Sequence, residues 1–337
     1  ARQSTRSRLT MRLWLKLRIK PKVLTRLSPR KKLSVKKKEL RRLKMVSNRN
    51  YTFKDIICIF LPVFIAAVLQ YAVMAGDALI IFIYNLLSDT RTIRTRSMGK
   101  IITEAYNQPM NRAYISLAQY ALFILCFGIW YYRVFVKKND TTILDSIKNL
   151  KINKSRLIKT ITGLVVCGYM SQILVDCVLS LVRPLFKETF ENYDSLVSNV
   201  TGAQSSWLLI LSVILLAPIG EELLFRGIIM NYSKRCMPAI WAIILQAALF
   251  GLYHGNIVQI IYAFVMGIIL GIVSQKLGSI VYSIILHMAV NISIFLVPQF
   301  IYINNTATII SCIVSGIALI ILLVIILNNK KVKENPA

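Results

Sequence analysis

The sequence is poor in acidic residues and in histidine. Only 14 of its 337 residues are Asp or Glu, against 42 Lys and Arg, and only two are His. Its six cysteines show no paired spacing, so we expect neither a disulfide framework nor a cysteine metal site. Because acids and histidines are so few, those that lie inside apolar segments indicate function, since an ionisable group is costly there.

The apolar composition excludes an ordinary soluble protein. Hydrophobic residues make up 56% of the chain, and the mean hydropathy is +0.60. Several apolar stretches reach the roughly 20 residues that a helix needs to cross a bilayer. The sequence therefore predicts an all-α polytopic membrane bundle of about eight transmembrane helices. We expect these helices over residues 53–87, 114–136, 160–182, 206–232, 238–254, 257–274, 279–297 and 307–327.

Basic residues set the expected orientation of the chain. Residues 1–50 are dense in Lys and Arg and contain a single acid, Glu39. Loops rich in Lys and Arg lie on the cytoplasmic side of a membrane, and most of the basic loops share one side if eight helices alternate; the loop 88–112 is the exception. We therefore predict that both termini are cytoplasmic. The basic arm suits contact with anionic lipid headgroups, and no nucleic-acid-binding module accompanies it, so we predict no nucleic-acid partner.

The charge pattern divides the chain into four segments without a second soluble domain. The acidic stretch 187–200 is predicted to be a loop on the non-cytoplasmic side. The segments are a basic cytoplasmic arm that need not be ordered (1–50), N-terminal transmembrane helices and loops (51–160), a membrane core that carries the polar motifs (161–328) and a basic tail (329–337).

Three charged residues lie where the sequence is otherwise apolar. Glu222 and Arg226 are four residues apart, so they share a helical face with the acid in the favourable N-terminal position. Glu221 points about 100° away from Glu222 on a helix, which lets one acid pair with the arginine while the other reaches a cavity. Pro218 and Gly220, just before the acids, predict a kinked or broken helix with space for water.

The two histidines stand in similar helical pairs. Phe250 and His254 are four residues apart, as are His287 and Asn291. A carboxylate such as Glu221 can deprotonate water, and an imidazole can orient that water or protonate a leaving amine. A second imidazole with a carboxamide can donate hydrogen bonds to an oxyanion. No motif supplies a covalent nucleophile, so the inventory indicates hydrolysis of a carbonyl compound, most simply a peptide bond, by water.

These residues resemble the signature of the CAAX protease and bacteriocin-processing family. That family includes the type II CAAX prenyl endopeptidases and bacterial proteins resembling lysostaphin resistance protein A. The resemblance implies an intramembrane endopeptidase, with residues 161–328 as its catalytic core. It rests on three motifs in order: Glu221-Glu222-x-x-x-Arg226, Phe250-x-x-x-His254 and His287-x-x-x-Asn291.

The resemblance also implies a role for each residue. Glu221 would be the general base for water, and His254 would position that water or protonate the leaving group. His287 and Asn291 would form the oxyanion site. The supporting residues would be Glu222 and Arg226, bracing the motif helix by an ion pair, and Phe250, which would fix the depth of His254.

A metal is the open alternative for the mechanism. Glu221, His254 and His287 could hold zinc and leave one position free. The chain lacks the His-Glu-x-x-His arrangement of common metalloproteases, and a metal-free glutamate mechanism suits the oxyanion pair better. We therefore expect no cofactor, with zinc as the alternative.

Two classes of function remain open on the sequence. The first is an endopeptidase acting on a peptide or a lipidated protein in the bilayer. The second is a non-catalytic protein of the same fold that confers bacteriocin self-immunity or binds a regulator as a scaffold. The short loops favour a bacterial cell membrane. The sequence makes no prediction of an oligomeric state.

Overall fold

A computed structural model describes residues 53–88, 97–137, 154–202, 205–297 and 304–328. The predicted arm (1–50) and tail (329–337) lie outside the described residues. Within the described residues the regular secondary structure is entirely helical, which confirms the predicted all-α membrane bundle. The helices, in chain order, are α1 (Phe53–Ser88), α2 (Met98–Tyr106), α3 (Pro109–Tyr131, extended by Tyr132–Val136), α4 (Lys154–Val182), α5 (Lys187–Thr201), α6 (Trp207–Cys236), α7 (Ala239–Tyr253), α8 (Ile257–Leu277), α9 (Ile280–Ser293) and α10 (Asn305–Asn328).

Eight of these helices correspond to the predicted spans. Six, namely α1, α3, α4, α6, α8 and α10, are long and apolar enough to cross a membrane, while α7 and α9 are apolar but shorter. Helix α1 runs unbroken through Gly76 and Asp77, and α4 begins at Lys154, earlier than predicted. The cytoplasmic location of the termini and the bacterial membrane stay predictions.

The prediction of a loop over residues 187–200 is wrong. The segment forms α5, because its few large apolar side chains recur at helical spacing. Phe190 and Tyr193 are buried and pack with Val258 and Tyr262 of α8. The acids that suggested a loop occupy the other faces. A second helix, α2, likewise replaces part of the predicted loop 88–112.

Helix α6 lies at the centre of the described bundle. It contacts α1, α3, α7 and α9, and every residue from Leu224 to Met230 is buried. Residues that are buried in succession around a whole helical turn must be enclosed by neighbouring helices on every side. Phe225 and Ile228 form the main core here with Phe123 and Phe127 of α3. The charged motif is therefore carried by the helix that is most enclosed by protein.

Helices α7 and α8 form a tight antiparallel hairpin. Gly255, with φ +71°, supplies the left-handed turn between them. Gly251 lets the helices touch, since a Cβ there would lie 2.7 Å from the carbonyl oxygen of Ile260. Helix α7 has only 15 residues, about 22 Å of rise, which is less than the roughly 30 Å of the hydrocarbon core. Its C-terminal end, where His254 lies, can thus reach the interior of the bilayer.

Candidate active site

One cavity brings together all the residues that the sequence proposed for catalysis. It has a volume of about 400 Å³ and is lined by residues of α1 and of α3 to α9. Glu221, His254, His287 and Asn291 line it, and so does Phe250. The sequence alone left a difficulty, since Glu221 falls mid-helix and His254 at a helix end. The short α7 resolves it, because the end of this helix reaches the depth of the Glu221 carboxylate.

Helix α6 positions the two acids by departing from ordinary α-helical geometry. It contains two π-helical segments, Ser212–Leu216 and Leu223–Ile229, on either side of the α-helical turn Ala217–Glu222. Of the predicted kink or break at Pro218 and Gly220, the break is wrong, because the helix continues through both residues; the kink stays a prediction. π-Helical turns inside α-helices are frequent at functional sites, since they redirect the side chains that follow.

Pro218 has a consequence for Asn291. The N–H of Ala217 donates to the carbonyl oxygen of Ser212, five residues back. In this register the donor to Val213 would be residue 218, but proline has no N–H. Asn291 Nδ2 donates to the Val213 carbonyl oxygen instead, at 2.8 Å. The carboxamide of Asn291 is thereby fixed at the cavity wall, with the second hydrogen of its amide remaining for another acceptor.

Glu222 and Arg226 form the predicted ion pair. Arg226 Nη1 donates to Glu222 Oε1 at 2.6 Å, and both side chains are fully buried. Arg226 Nη2 donates to the Gly267 carbonyl oxygen at 3.2 Å, and its guanidinium lies 4.5 Å from the centre of the Phe250 ring. Several partners thus compensate the burial of these charges. The pair joins α6 to α7 and α8 and does not line the cavity.

Glu221 takes the other direction and faces the cavity. Its Oε1 accepts a hydrogen bond of 3.2 Å from the Tyr120 hydroxyl on α3. Its Oε2 lies 3.7 Å from His287 Nε2. That distance is too long for a direct hydrogen bond, yet a single water could lie within hydrogen-bond distance of both atoms. The two acids thus point in different directions, as the sequence predicted: Glu222 pairs with Arg226, and Glu221 lines the cavity.

His287 links the two acids. Its Nδ1 lies 3.1 Å from Glu222 Oε1, and because a carboxylate accepts, Nδ1 carries the hydrogen. Its Nε2 faces Glu221 and the cavity. The ring packs edge-on against Phe250, with centres 5.7 Å apart. To donate to an oxyanion through Nε2, His287 must carry a second proton.

His254 is held by its own helix. Its Nδ1 lies 2.8 Å from the Phe250 carbonyl oxygen, which only accepts, so Nδ1 is the donor and Nε2 is the free nitrogen. The ring also stacks edge-on with Phe250, at 4.9 Å between centres. Phe250 therefore packs against both histidines, and the role that the resemblance gave it stays a prediction.

Sequence reasoning missed the polar residues that α1 and α3 contribute to the cavity. Tyr120 binds Glu221. Gln119 Nε2 donates to the Tyr253 hydroxyl at 3.4 Å, and that hydroxyl donates to Gln70 Oε1 at 3.2 Å. Glutamines inside apolar spans were an available signal, since an amide in lipid needs a partner. Tyr120 gave no signal, because tyrosine is common in membrane helices.

The residues of the zinc alternative do not assemble a metal site. Within the described ranges, no three His, Cys, Asp or Glu side chains lie close enough together to hold a metal ion. Glu221 and His287 approach each other, but His254 does not complete a trio with them.

A known protein family matches the part of the chain that carries the three motifs. No curated protein and no solved structure matches the chain significantly. A family model described as type II CAAX prenyl endopeptidase Rce1-like matches residues 203–293, which hold every signature position from Glu221 to Asn291. The chain is an integral membrane protein, and its segment 203–293 confirms the resemblance to the CAAX protease and bacteriocin-processing family of intramembrane endopeptidases.

Proposed function

We propose that the protein is an intramembrane endopeptidase that hydrolyses a peptide bond with a glutamate-activated water. One observation carries the proposal: Glu221, His254, His287 and Asn291 line one cavity inside an apolar bundle. A structural role would explain the fully buried Glu222–Arg226 pair, but it would not explain a second acid directed into the cavity beside an imidazole.

The first step is attack by water. A water between Glu221 Oε2 and His287 Nε2 gives a proton to Glu221, and its oxygen adds to the carbonyl carbon of the substrate. His254 Nε2, on the cavity side of a ring anchored through Nδ1, helps to hold this water. The bond formed is C–O, and the carbonyl π pair becomes an oxyanion.

The second step needs donors for the oxyanion and a proton for the amine. Asn291 offers its second amide hydrogen, and doubly protonated His287 offers Nε2–H. The tetrahedral carbon then expels the amine, which takes a proton that Glu221 received from water, directly or through His254. The products are a carboxylic acid and an amine, and the site residues return to their initial protonation.

The proposed substrate is a peptide segment or a lipidated protein presented by the bilayer. The cavity opens among helices whose outer faces carry large exposed apolar side chains, including Phe64 and Tyr71 of α1. Such surfaces suit lipid and lipid-borne substrates. The proposal covers prenylated and unprenylated peptides and includes no nucleic acid.

Cleavage by the purified, membrane-reconstituted protein tests the proposal. The substrates are libraries of membrane-embedded and prenylated peptides. We expect Glu221→Gln and His254→Ala to lose at least about 100-fold in kcat/KM, while Glu191→Gln, an exposed acid on α5, retains activity. Unchanged cleavage in both site variants would contradict the mechanism. A cellular effect that survives both substitutions would favour the immunity or scaffold alternative.

We propose that no metal takes part in this reaction. The support is the absence of a metal-holding trio among the described side chains. Chelation followed by dialysis should leave the cleavage rate unchanged, and elemental analysis should find less than one metal ion per chain. A rate that falls on chelation and returns with zinc would restore the zinc alternative.

A further inference from the structure

The hydroxyl of Tyr120 donates to the acid that the proposed mechanism uses as its base. Tyr120 lies on α3, outside the segment 203–293 that matches the protease family. Its Oη is 3.2 Å from Glu221 Oε1. We infer that Tyr120 is a positioning residue, which orients the Glu221 carboxylate so that Oε2 is the oxygen that receives the proton of water. This inference rests on the proposed function.

The orientation of Glu221 needs such a partner. The terminal torsion of a glutamate is broad, so a free carboxylate would present either oxygen in many directions. Tyr120 fixes Oε1, and the planar carboxylate then holds Oε2 toward His287 Nε2, 3.7 Å away. Preorganised polar groups of this kind lower a barrier because they need not rearrange during the reaction.

The packing between α3 and α6 keeps the tyrosine within reach. Gly220, the residue before Glu221, faces α3 closely. A Cβ at this glycine would lie 3.2 Å from Phe123 Cβ and 3.6 Å from Tyr120 Cδ1. Phe123 is fully buried and packs edge-on against Tyr120, so α3 has little freedom to yield. The glycine therefore permits the short approach on which the hydrogen bond depends.

Activity measurements separate positioning from packing. Tyr120→Phe keeps the ring and removes only the hydroxyl. We expect kcat to fall about 10- to 100-fold, the rate equivalent of one hydrogen bond to a charged group, with KM changed less than about twofold. Tyr131→Phe is the matched control, since Tyr131 lies three turns along α3 and packs against Gly227, away from Glu221. A Tyr120→Phe enzyme with the kcat of wild type overturns the inference.

Gly220→Ala supplies an independent variant. Its methyl group should strain the tight contact between α3 and α6, lengthen the Tyr120–Glu221 hydrogen bond and so lower kcat in the wild-type background. In the Tyr120→Phe background it should lower kcat much less, because the hydrogen bond is already gone. Additive losses from the two changes would show that Gly220 acts by another route and would contradict the positioning role of the α3 contact.

A spectroscopic readout does not depend on activity. The infrared band of the Glu221 carboxyl group is identified as the one lost in Glu221→Gln. It should shift in Tyr120→Phe and stay in place in Tyr131→Phe. An unshifted band refutes the positioning role even if no substrate is found, whereas a shifted band with no cleavage of any library refutes the proposed function and leaves the contact established.

Discussion

Replacing Arg226 by methionine should destabilise the fold more than any surface change on the same helix. Arg226 and Glu222 are both fully buried and meet at 2.6 Å. Methionine keeps most of the apolar volume but leaves the Glu222 carboxylate without its cation. Breaking a buried ion pair on one side typically costs about 3–5 kcal/mol. The same change also removes the bond to the Gly267 carbonyl oxygen and the contact with the Phe250 ring.

A second substitution, at Glu222, tests whether the unpaired carboxylate causes this loss of stability. Its Oε1 also accepts from His287 Nδ1, so an apolar replacement would leave that nitrogen without an acceptor. Glu222→Gln removes the charge and keeps a carbonyl oxygen. We therefore expect Glu222→Gln with Arg226→Met to be at least about 2 kcal/mol more stable than Arg226→Met alone.

Denaturant-induced unfolding in detergent micelles measures these free energies. Arg235→Met is the control, because Arg235 lies on the same helix but is exposed and stacks on Phe135 and Tyr232. It should cost no more than about 1 kcal/mol. If Arg226→Met costs as little as the control, or if the double variant is no more stable than the single one, an uncompensated buried charge is not the cause of the destabilisation.

Two further predictions concern the packing of α9. Asn291→Ala should lower both stability and cleavage. Adding Pro218→Ala should restore about 0.5–1.5 kcal/mol of stability, because the new N–H of residue 218 can donate to the Val213 carbonyl oxygen, but it should restore no cleavage, because the oxyanion donor stays absent. Equal recovery of stability and cleavage would contradict separate roles for the two amide hydrogens of Asn291. Gly168→Ala should lower the unfolding midpoint and the cleavage rate together, because a Cβ at Gly168 would lie 2.5 Å from the Cβ of Ala289; a variant as stable as wild type would show that α4 and α9 can separate without cost.

The parts of the site that the sequence could predict are those governed by local helical spacing. Glu222 and Arg226 share a face at four residues' separation, and the structure pairs them. The offset of about 100° between the two acids separates their roles, as seen in the directions of their carboxylates. Helix existence was equally predictable, since long apolar runs in a membrane protein have few alternatives to a helix.

The contacts that sequence could not predict join residues far apart in the chain. Tyr120 and Glu221 are brought together by the packing of α3 on α6, and nothing in either segment indicates which faces meet. The same holds for the bond from Asn291 to Val213, which depends on a π-helical register that no propensity scale describes. The error over residues 187–200 has another cause, since three acids within seven residues (Glu188, Glu191 and Asp194) obscured a short apolar face.

The formal charges of the site explain why it contains two acids and one arginine. The formal charges of Glu221, Glu222 and Arg226 sum to −1, and the second proton that the proposed mechanism requires on His287 would balance this charge. In the proposed first step, Glu221 takes the proton of the attacking water, and its negative charge passes to the oxygen of the substrate. The negative charge thus moves from the Glu221 carboxylate to the substrate oxygen beside His287, and no new charge is created. In a low-dielectric cavity, moving a charge between prearranged partners costs far less than creating one.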